Sequence, residues 1–197
     1  MTEKFARTFL ERAEAASDER GRLPLGAQTA WDVFPFEVEG LLPRRLTDVQ
    51  LPEPERGQTP EECRFCQQVA DPGLLLHTGR SLAVVRPPRT PLVLHASVVA
   101  REHVGLADVG PDALAELGLL LGRAYAEIVS WPEVGNVHVN KWENGPGHLA
   151  FQLLARPAGV LQLRGSNLPA WADMLPDQPE TEVSERAELL RRALAAY

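Results

Sequence analysis

The chain has 197 residues, 44% of them hydrophobic and 24% charged, which excludes a disordered chain and allows one domain with extensions. A formal charge of −7 excludes a general nucleic-acid-binding surface, though not a small basic pocket for one phosphate. No apolar run approaches a membrane span and no secretory signal core opens the chain, so a cytoplasmic protein without a membrane partner is expected.

Thr2 to Arg20 reads as an amphipathic helix, with Phe5, Phe9, Ala13 and Ala16 at helical spacing and Gly21 as its stop. From Leu23 to Pro60 the chain carries Pro24, Pro35, Pro43, Pro52, Pro54 and Pro60, which rules out a long helix or central strand. The aromatic stretch Trp31-Asp32-Val33-Phe34-Pro35-Phe36 argues for an arm packed over the domain or over a second subunit. Residues 1–60 are thus a helix and a proline-rich arm, residues 61–170 the domain, and residues 171–197 a C-terminal helical extension.

Within the domain, Leu74 to His77 and Leu82 to Arg86 flank the turn residues Thr78-Gly79-Arg80-Ser81, a hairpin signal. Leu92 to Ala100 is the third strand. Pro111 to Ser130 is a helix with Leu114, Leu117, Leu121, Tyr125 and Ile128 on its apolar stripe, closed by Trp131-Pro132. Asn136 to Asn140 alternates, and Val160 to Arg164 reads as a last strand. Pro179 to Ala196 is a helix with Val183, Leu190 and Leu194 on one side. The fold class is α+β: an antiparallel sheet with one long covering helix.

The stretch Gly147 to Leu154 reads as a strand that puts His148, Ala150 and Gln152 on one face and Leu149, Phe151 and Leu153 on the other. It follows a flexible Gly/Pro loop, Glu143-Asn144-Gly145-Pro146-Gly147, a plausible phosphate-facing arrangement. The two cysteines form one C-x-x-C pair, Cys63-Arg64-Phe65-Cys66, which excludes a disulfide framework. No strand precedes it, so a thioredoxin-type redox pair fits less well than zinc. Zinc needs two more ligands, and the histidines on offer are His77, His95, His103, His138 and His148.

Together these motifs resemble the histidine-triad superfamily, in particular its zinc-bearing, galactose-1-phosphate uridylyltransferase-like branch. The resemblance runs from about Cys63 to about Arg164, roughly half the chain. Its features are the C-x-x-C start, a strand ending in Arg101-Glu102-His103, a long helix, an Asn-containing strand, a Gly-rich loop, and a triad strand ending in Ala155-Arg156-Pro157. It implies a histidine-triad-like sheet and a structural zinc ion on Cys63, Cys66, His103 and His148. It implies a nucleotide or nucleotide-conjugated small molecule as ligand, and a homodimer.

The family's triad, His-φ-His-φ-His/Gln, falls on His148, Ala150 and Gln152. The resemblance makes Gln152 a ligand of a phosphate oxygen. It makes the middle position the nucleophile that forms a nucleotidyl-histidine in a nucleotidyltransferase or nucleotide hydrolase. Ala150 has no nucleophile to offer, so the chain as written should not run that step. One reading is that Ala150 replaces a native histidine, since one change completes Gly-His-Leu-His-Phe-Gln around an otherwise intact motif. The other is a natural departure: a silent nucleotide- or partner-binding protein, or an enzyme using direct attack on phosphorus. Asn140, Lys141, Trp142, Gly145 and Gly147 are the candidate substrate contacts, by resemblance for Asn140, by charge for Lys141, by base stacking for Trp142 and by backbone N–H access for the glycines. Arg156 and Arg164 could serve phosphate or cap strand ends.

Overall fold

The structure is a computed structural model. It describes residues 2–31, 34–49, 51–52, 59–142 and 147–196, without the side chains of residues 2–6 and Phe9. The expected core positions Phe5 and Phe9, Asp32 and Val33 of the aromatic stretch, and the loop from Glu143 to Pro146 with Gly145 therefore lie outside the description. The chain forms two compact units, Met1–Pro54 and Glu55–Tyr197.

In the first unit, helix α1 spans Thr2–Ala15. It ends well before Gly21 because local polar groups take over the backbone. The Ser17 hydroxyl donates back to Ala13 O at 2.8 Å, and the Asp18 carboxylate accepts from the N–H groups of Arg20 and Arg22 at 2.9 Å each. Gly21 sits in that turn at φ 70°, a left-handed conformation that a glycine adopts without a Cβ penalty. Arg22 ties the arm back on itself by donating to Pro43 O at 3.1 Å. Phe34 and Phe36 meet edge-on at 5.9 Å, while Trp31 stays exposed.

The second unit is built on one five-stranded sheet: β1 (Leu75–Thr78), β2 (Leu82–Val85), β3 (Leu94–Ala100), β4 (Val134–Asn140) and β5 (Ala150–Pro157). The spatial order is β1-β2-β3-β5-β4 and every neighbouring pair is antiparallel. The expected α+β class and antiparallel sheet are what the structure has. Helices α2 (Arg64–Ala70), α3 (Pro111–Val129), α4 (Leu168–Met174) and α5 (Glu180–Ala195) complete the unit.

The hairpin turn between β1 and β2 is tied to the long helix. The Glu116 carboxylate of α3 accepts from the N–H groups of Ser81 and Leu82 at 2.9 and 3.4 Å. A Cβ at Gly79 would collide with that carboxylate. On one face of the sheet, Leu82, Val84, Leu94, Ala96, Val98, Leu149 and Leu153 pack against α3 and α5. On the other, Ala83, Val85, Val99 and Ala150 pack against Cys63 and Phe65 at the start of α2. β2 is buried along its whole length because both of its faces are covered.

Two sequence expectations are corrected here. Leu114 and Tyr125 of α3 are exposed; the buried stripe is Ala113, Leu117, Leu120, Ala124 and Ile128. The i, i+4, i+7 rule is met equally well by the small alanines, which allow closer approach to the sheet. Val160 to Arg164 is not a strand. Gly159, at φ 79°, turns the chain away after β5, and Leu163 drops into a small cluster with Leu92, Leu154 and Leu168. Helix α4 follows, with Pro169 in its first turn, where the missing N–H costs nothing. Helix α2 opens directly after Cys63.

Helix α5 buries Val183, Ala187, Leu190 and Leu194, the last three within the main core. Arg86, almost fully buried at the sheet end, donates to Glu180 at 2.8 Å and fixes its N-terminal turn. Leu190 is fully buried. Its replacement by alanine is expected to cost about 3 kcal/mol, read as a lower midpoint in urea unfolding with an unchanged slope.

Candidate metal centre and triad strand

Two sequence-distant ends meet where β3 ends and β5 begins. Cys63 occupies the N-cap position of α2, with its backbone N–H donating to Thr59 O at 3.1 Å, and Cys66 follows one helical turn later. The i, i+3 spacing puts both sulfurs on one side of the helix. Across from them, the approach to β5 is held at the end of β3. Leu149 N donates to Val104 O at 2.7 Å, and Ala100 N donates to Leu149 O at 3.0 Å.

His148 sits between the two. Its Nε2 lies 2.6 Å from Ala100 O. A carbonyl only accepts, so Nε2 carries the proton and Nδ1 keeps its lone pair. That lone pair faces the cysteines: Nδ1 is 3.5 Å from Cys63 Sγ and 3.3 Å from Cys66 Sγ. His103 comes in at the end of β3 with its Nδ1 3.4 Å from Cys66 Sγ. All four ligand atoms lie within 4.8 Å of one another.

These separations fit a tetrahedral ion. With Zn–S near 2.3 Å and Zn–N near 2.05 Å, neighbouring sulfur and nitrogen ligands stand about 3.6 Å apart. Two thiols and two imidazoles are a zinc donor set, and the His148–Ala100 hydrogen bond is the outer partner that such a ligand uses. The four expected ligands, Cys63, Cys66, His103 and His148, are thus brought together as a structural zinc site. Four protein donors fill the tetrahedron and leave no position for water or substrate. From protein groups alone, burial first and the neighbouring Cys63 second push the Cys66 thiol up to about 11. That is the reverse of a redox-active cysteine and is undone by a divalent cation.

The triad positions follow along β5. Ala150 is fully buried opposite Val99, in the apolar cluster of Phe65, Ala83, Val85 and Val99. Gln152 is buried between Ser97 of β3 and Asn140 of β4, its partners in register on either side. Asn140 ends β4 and is half-buried. Lys141 and Trp142 are exposed just beyond it, Gly147 is half-buried, and Gly145 lies outside the described residues. Arg156 is half-buried and donates to Pro157 O at 3.2 Å, a strand-end contact, while Arg164 is exposed.

One participant is not evident from motifs. His95 lies on β3 opposite Leu154, one register step beyond the Ser97–Gln152 pair and on the same face. Burial, followed by the charge of Arg64, pulls its imidazole down to about 4, against the opposing influence of the Gln152 side chain. The alternation His95, Ser97, Val99 marks the face, but only the pairing with β5 shows what it faces. His138 of β4 lies opposite Leu154 and is not among the metal ligands. Its Nε2 is buried without a hydrogen-bond partner among the described residues.

Neither a protein-family model nor a curated protein matches the sequence. Among solved structures, a histidine triad protein from Bradyrhizobium japonicum matches with a TM-score of 0.51 at 18% identity, over 61% of this chain and 90% of that one. The chain has the histidine triad fold. A zinc-bound histidine triad family protein from Mycobacterium smegmatis matches with a TM-score of 0.46 at 21% identity, over 70% of this chain and 96% of that one. A uridylyltransferase matches with a TM-score of 0.48 at 17% identity, over 68% of this chain and 46% of that one. Ala150, where the resemblance expects a histidine, packs among apolar side chains.

Two outcomes are expected. The purified chain should carry one zinc per chain by elemental analysis, and Cys63→Ser or His103→Ala should lose it, with chelation lowering stability by several kcal/mol. Loss of stability on chelation in wild type but not in Cys63→Ser is the control. The second concerns His95. Its folded value lies below the unfolded one, so between about pH 6.5 and 4 the unfolded chain binds the extra proton and stability falls as pH falls. The Arg64 and Gln152 side chains are the groups bearing on it. Relative to His95→Gln, wild-type stability should drop by about 2 kcal/mol across that window, measured by urea unfolding of the chelated proteins.

Proposed function

We propose that this chain binds a nucleotide, or a nucleotide-conjugated small molecule, through a phosphate group at Gln152, and that a structural zinc ion holds the strand carrying that glutamine. The observation that supports this is the placement of Gln152. It is a buried amide flanked in register by Ser97 and Asn140, four residues along from a zinc-type ligand on a histidine triad fold. An amide meets a phosphate oxygen with an N–H donor and no change of charge. In this reading Lys141 and Trp142, exposed just beyond β4, neutralise a phosphate and stack on a base.

In this reading zinc supplies no reaction step. It fixes His148 and the first turn of α2. His148 is occupied through Nδ1 by the metal and through Nε2 by Ala100 O, so neither nitrogen is free to attack phosphorus. Ala150 supplies no nucleophile, and the chain as written forms no nucleotidyl-histidine. The reading includes a homodimer, the form the resemblance implies, and a cytoplasmic location. Among the described residues no helix is long and apolar enough to cross a membrane.

A second reading keeps the enzyme: a nucleotidyltransferase or nucleotide phosphohydrolase whose nucleophile seat is position 150, emptied here. The intact ligands and glutamine around it favour that reading. Ala150→His separates the two. The new ring enters an apolar cluster, and its burial is expected to cost about 1–3 kcal/mol. If the folded variant turns over nucleoside diphosphate substrates and wild type only binds them, position 150 is an emptied seat. Binding by both and turnover by neither supports the binding protein. Absence of nucleotide binding by calorimetry in the zinc-loaded wild type would falsify both.

A further inference from the structure

Beyond β5 the chain returns over the sheet face that carries Gln152. Leu163 and Leu168 are buried in one cluster with Leu92 and Leu154, and Leu154 is the next residue after Gln152 on that face. Between Leu163 and Leu168 lies a single helical turn, Gly165–Asn167. It opens on Gly165 at φ 66°, a conformation that suits glycine, and it buries Asn167 next to Leu168. Arg164, Gly165 and Ser166 are exposed, so the buried amide lies one short turn from solvent.

Asn167 lacks the bond that usually explains an asparagine in its place. It holds the N-cap position of α4, where the side chain ordinarily accepts from the first turn of the helix. Here the side chain makes no capping bond. Asn167 is 8% exposed, and its Nδ2 is buried with no hydrogen-bond partner among the described residues. The other buried side-chain nitrogens in that condition have simpler accounts. Those of Arg22, Arg86 and Arg156 belong to guanidiniums that donate through a second nitrogen. A ring nitrogen such as His138 Nε2 can be the one without a proton. An amide NH2 is always a donor. Buried without an acceptor it costs stability, and a leucine of similar size in this apolar cluster would remove that cost.

We propose that Asn167 is a ligand contact whose amide donates to an uncharged oxygen, a carbonyl or a hydroxyl, on the part of the ligand beyond its phosphate. The inference rests on the nucleotide-binding reading and names a residue that selects among nucleotides. The Leu163–Leu168 segment is then the far wall of the site, and Asn167 is the polar group that this wall buries. A buried donor discriminates sharply, because a ligand without an oxygen at that place leaves it unpaired.

The test uses the zinc-loaded full chain in two measurements. Calorimetry takes uridine, adenosine, their monophosphates and inorganic phosphate as probes, and urea unfolding is run without any of them. Asn167→Leu should raise the unfolding midpoint, because it removes an unpaired donor. It should weaken the monophosphate that wild type binds more tightly, and its nucleoside, by about tenfold, and leave inorganic phosphate unchanged. If Asn167→Leu does not fold, the smaller Asn167→Ala gives the same reading of binding. Monophosphate affinity unaltered in a folded variant overturns the proposal and leaves nucleotide binding in place. Equal weakening of inorganic phosphate also overturns it, since the wall would then act only through the shape of the site. No nucleotide bound by wild type overturns this inference together with the reading it rests on.

Discussion

The hydrogen bond between His148 Nε2 and the Ala100 carbonyl joins strand pairing to chemistry. It assigns the tautomer, turns Nδ1 toward the cysteines and pins the approach to β5 against the end of β3. From that point the β3–β5 register follows, and with it the depth of Ala150 opposite Val99 and of Gln152 opposite Ser97. A one-residue slip would turn Leu149 and Phe151 to the metal and His148 to the core. The metal ligands and the apolar core therefore enforce the same register from opposite sides of the sheet.

The two faces divide the work. Toward α3 and α5 the sheet is aliphatic, and Leu82, Val84, Leu94, Val98 and Leu153 are buried there with little or no exposure. That face stabilises the fold by removing apolar surface from water. The other face is a patchwork. Its cysteine end is apolar around Ala150, its middle is polar around His95, Ser97 and Gln152, and its far end is closed by Leu92, Leu154, Leu163 and Leu168. A polar middle that keeps the Gln152 amide buried is thus enclosed by two apolar clusters.

Much of the site was legible from residue type and order. Cys63 and Cys66 announced a metal turn. His103 and His148 follow as ligands from the family resemblance and not from their strand-end positions, and the structure brings these four side chains together. The face alternation of His148, Ala150 and Gln152 was readable from a period of two. What escaped the sequence was set by tertiary choice. The stripe of α3 could fall on Leu114 and Tyr125 or on Ala113 and Ala124, and only the distance to the sheet decides. Val160 to Arg164 has strand composition, but Gly159 turns it away after β5. His95 looked like any histidine on a strand, because its meaning lies in a partner more than fifty residues away in sequence.

The metal ligands come from widely separated stretches: the Cys63–His148 contact spans 85 residues and the Cys66–His103 contact 37. During synthesis the two thiols and then His103 emerge long before His148 does. Until that last imidazole is available and β5 has taken its place beside β3, the thiols belong to a three-donor site with one corner open, exposed to oxidants and to softer metals. Completion of the tetrahedron closes that window. The ion thereby marks a chain whose strand order is already correct, and a nascent or misassembled chain is distinguished chemically from a finished one by the reactivity of Cys63 and Cys66.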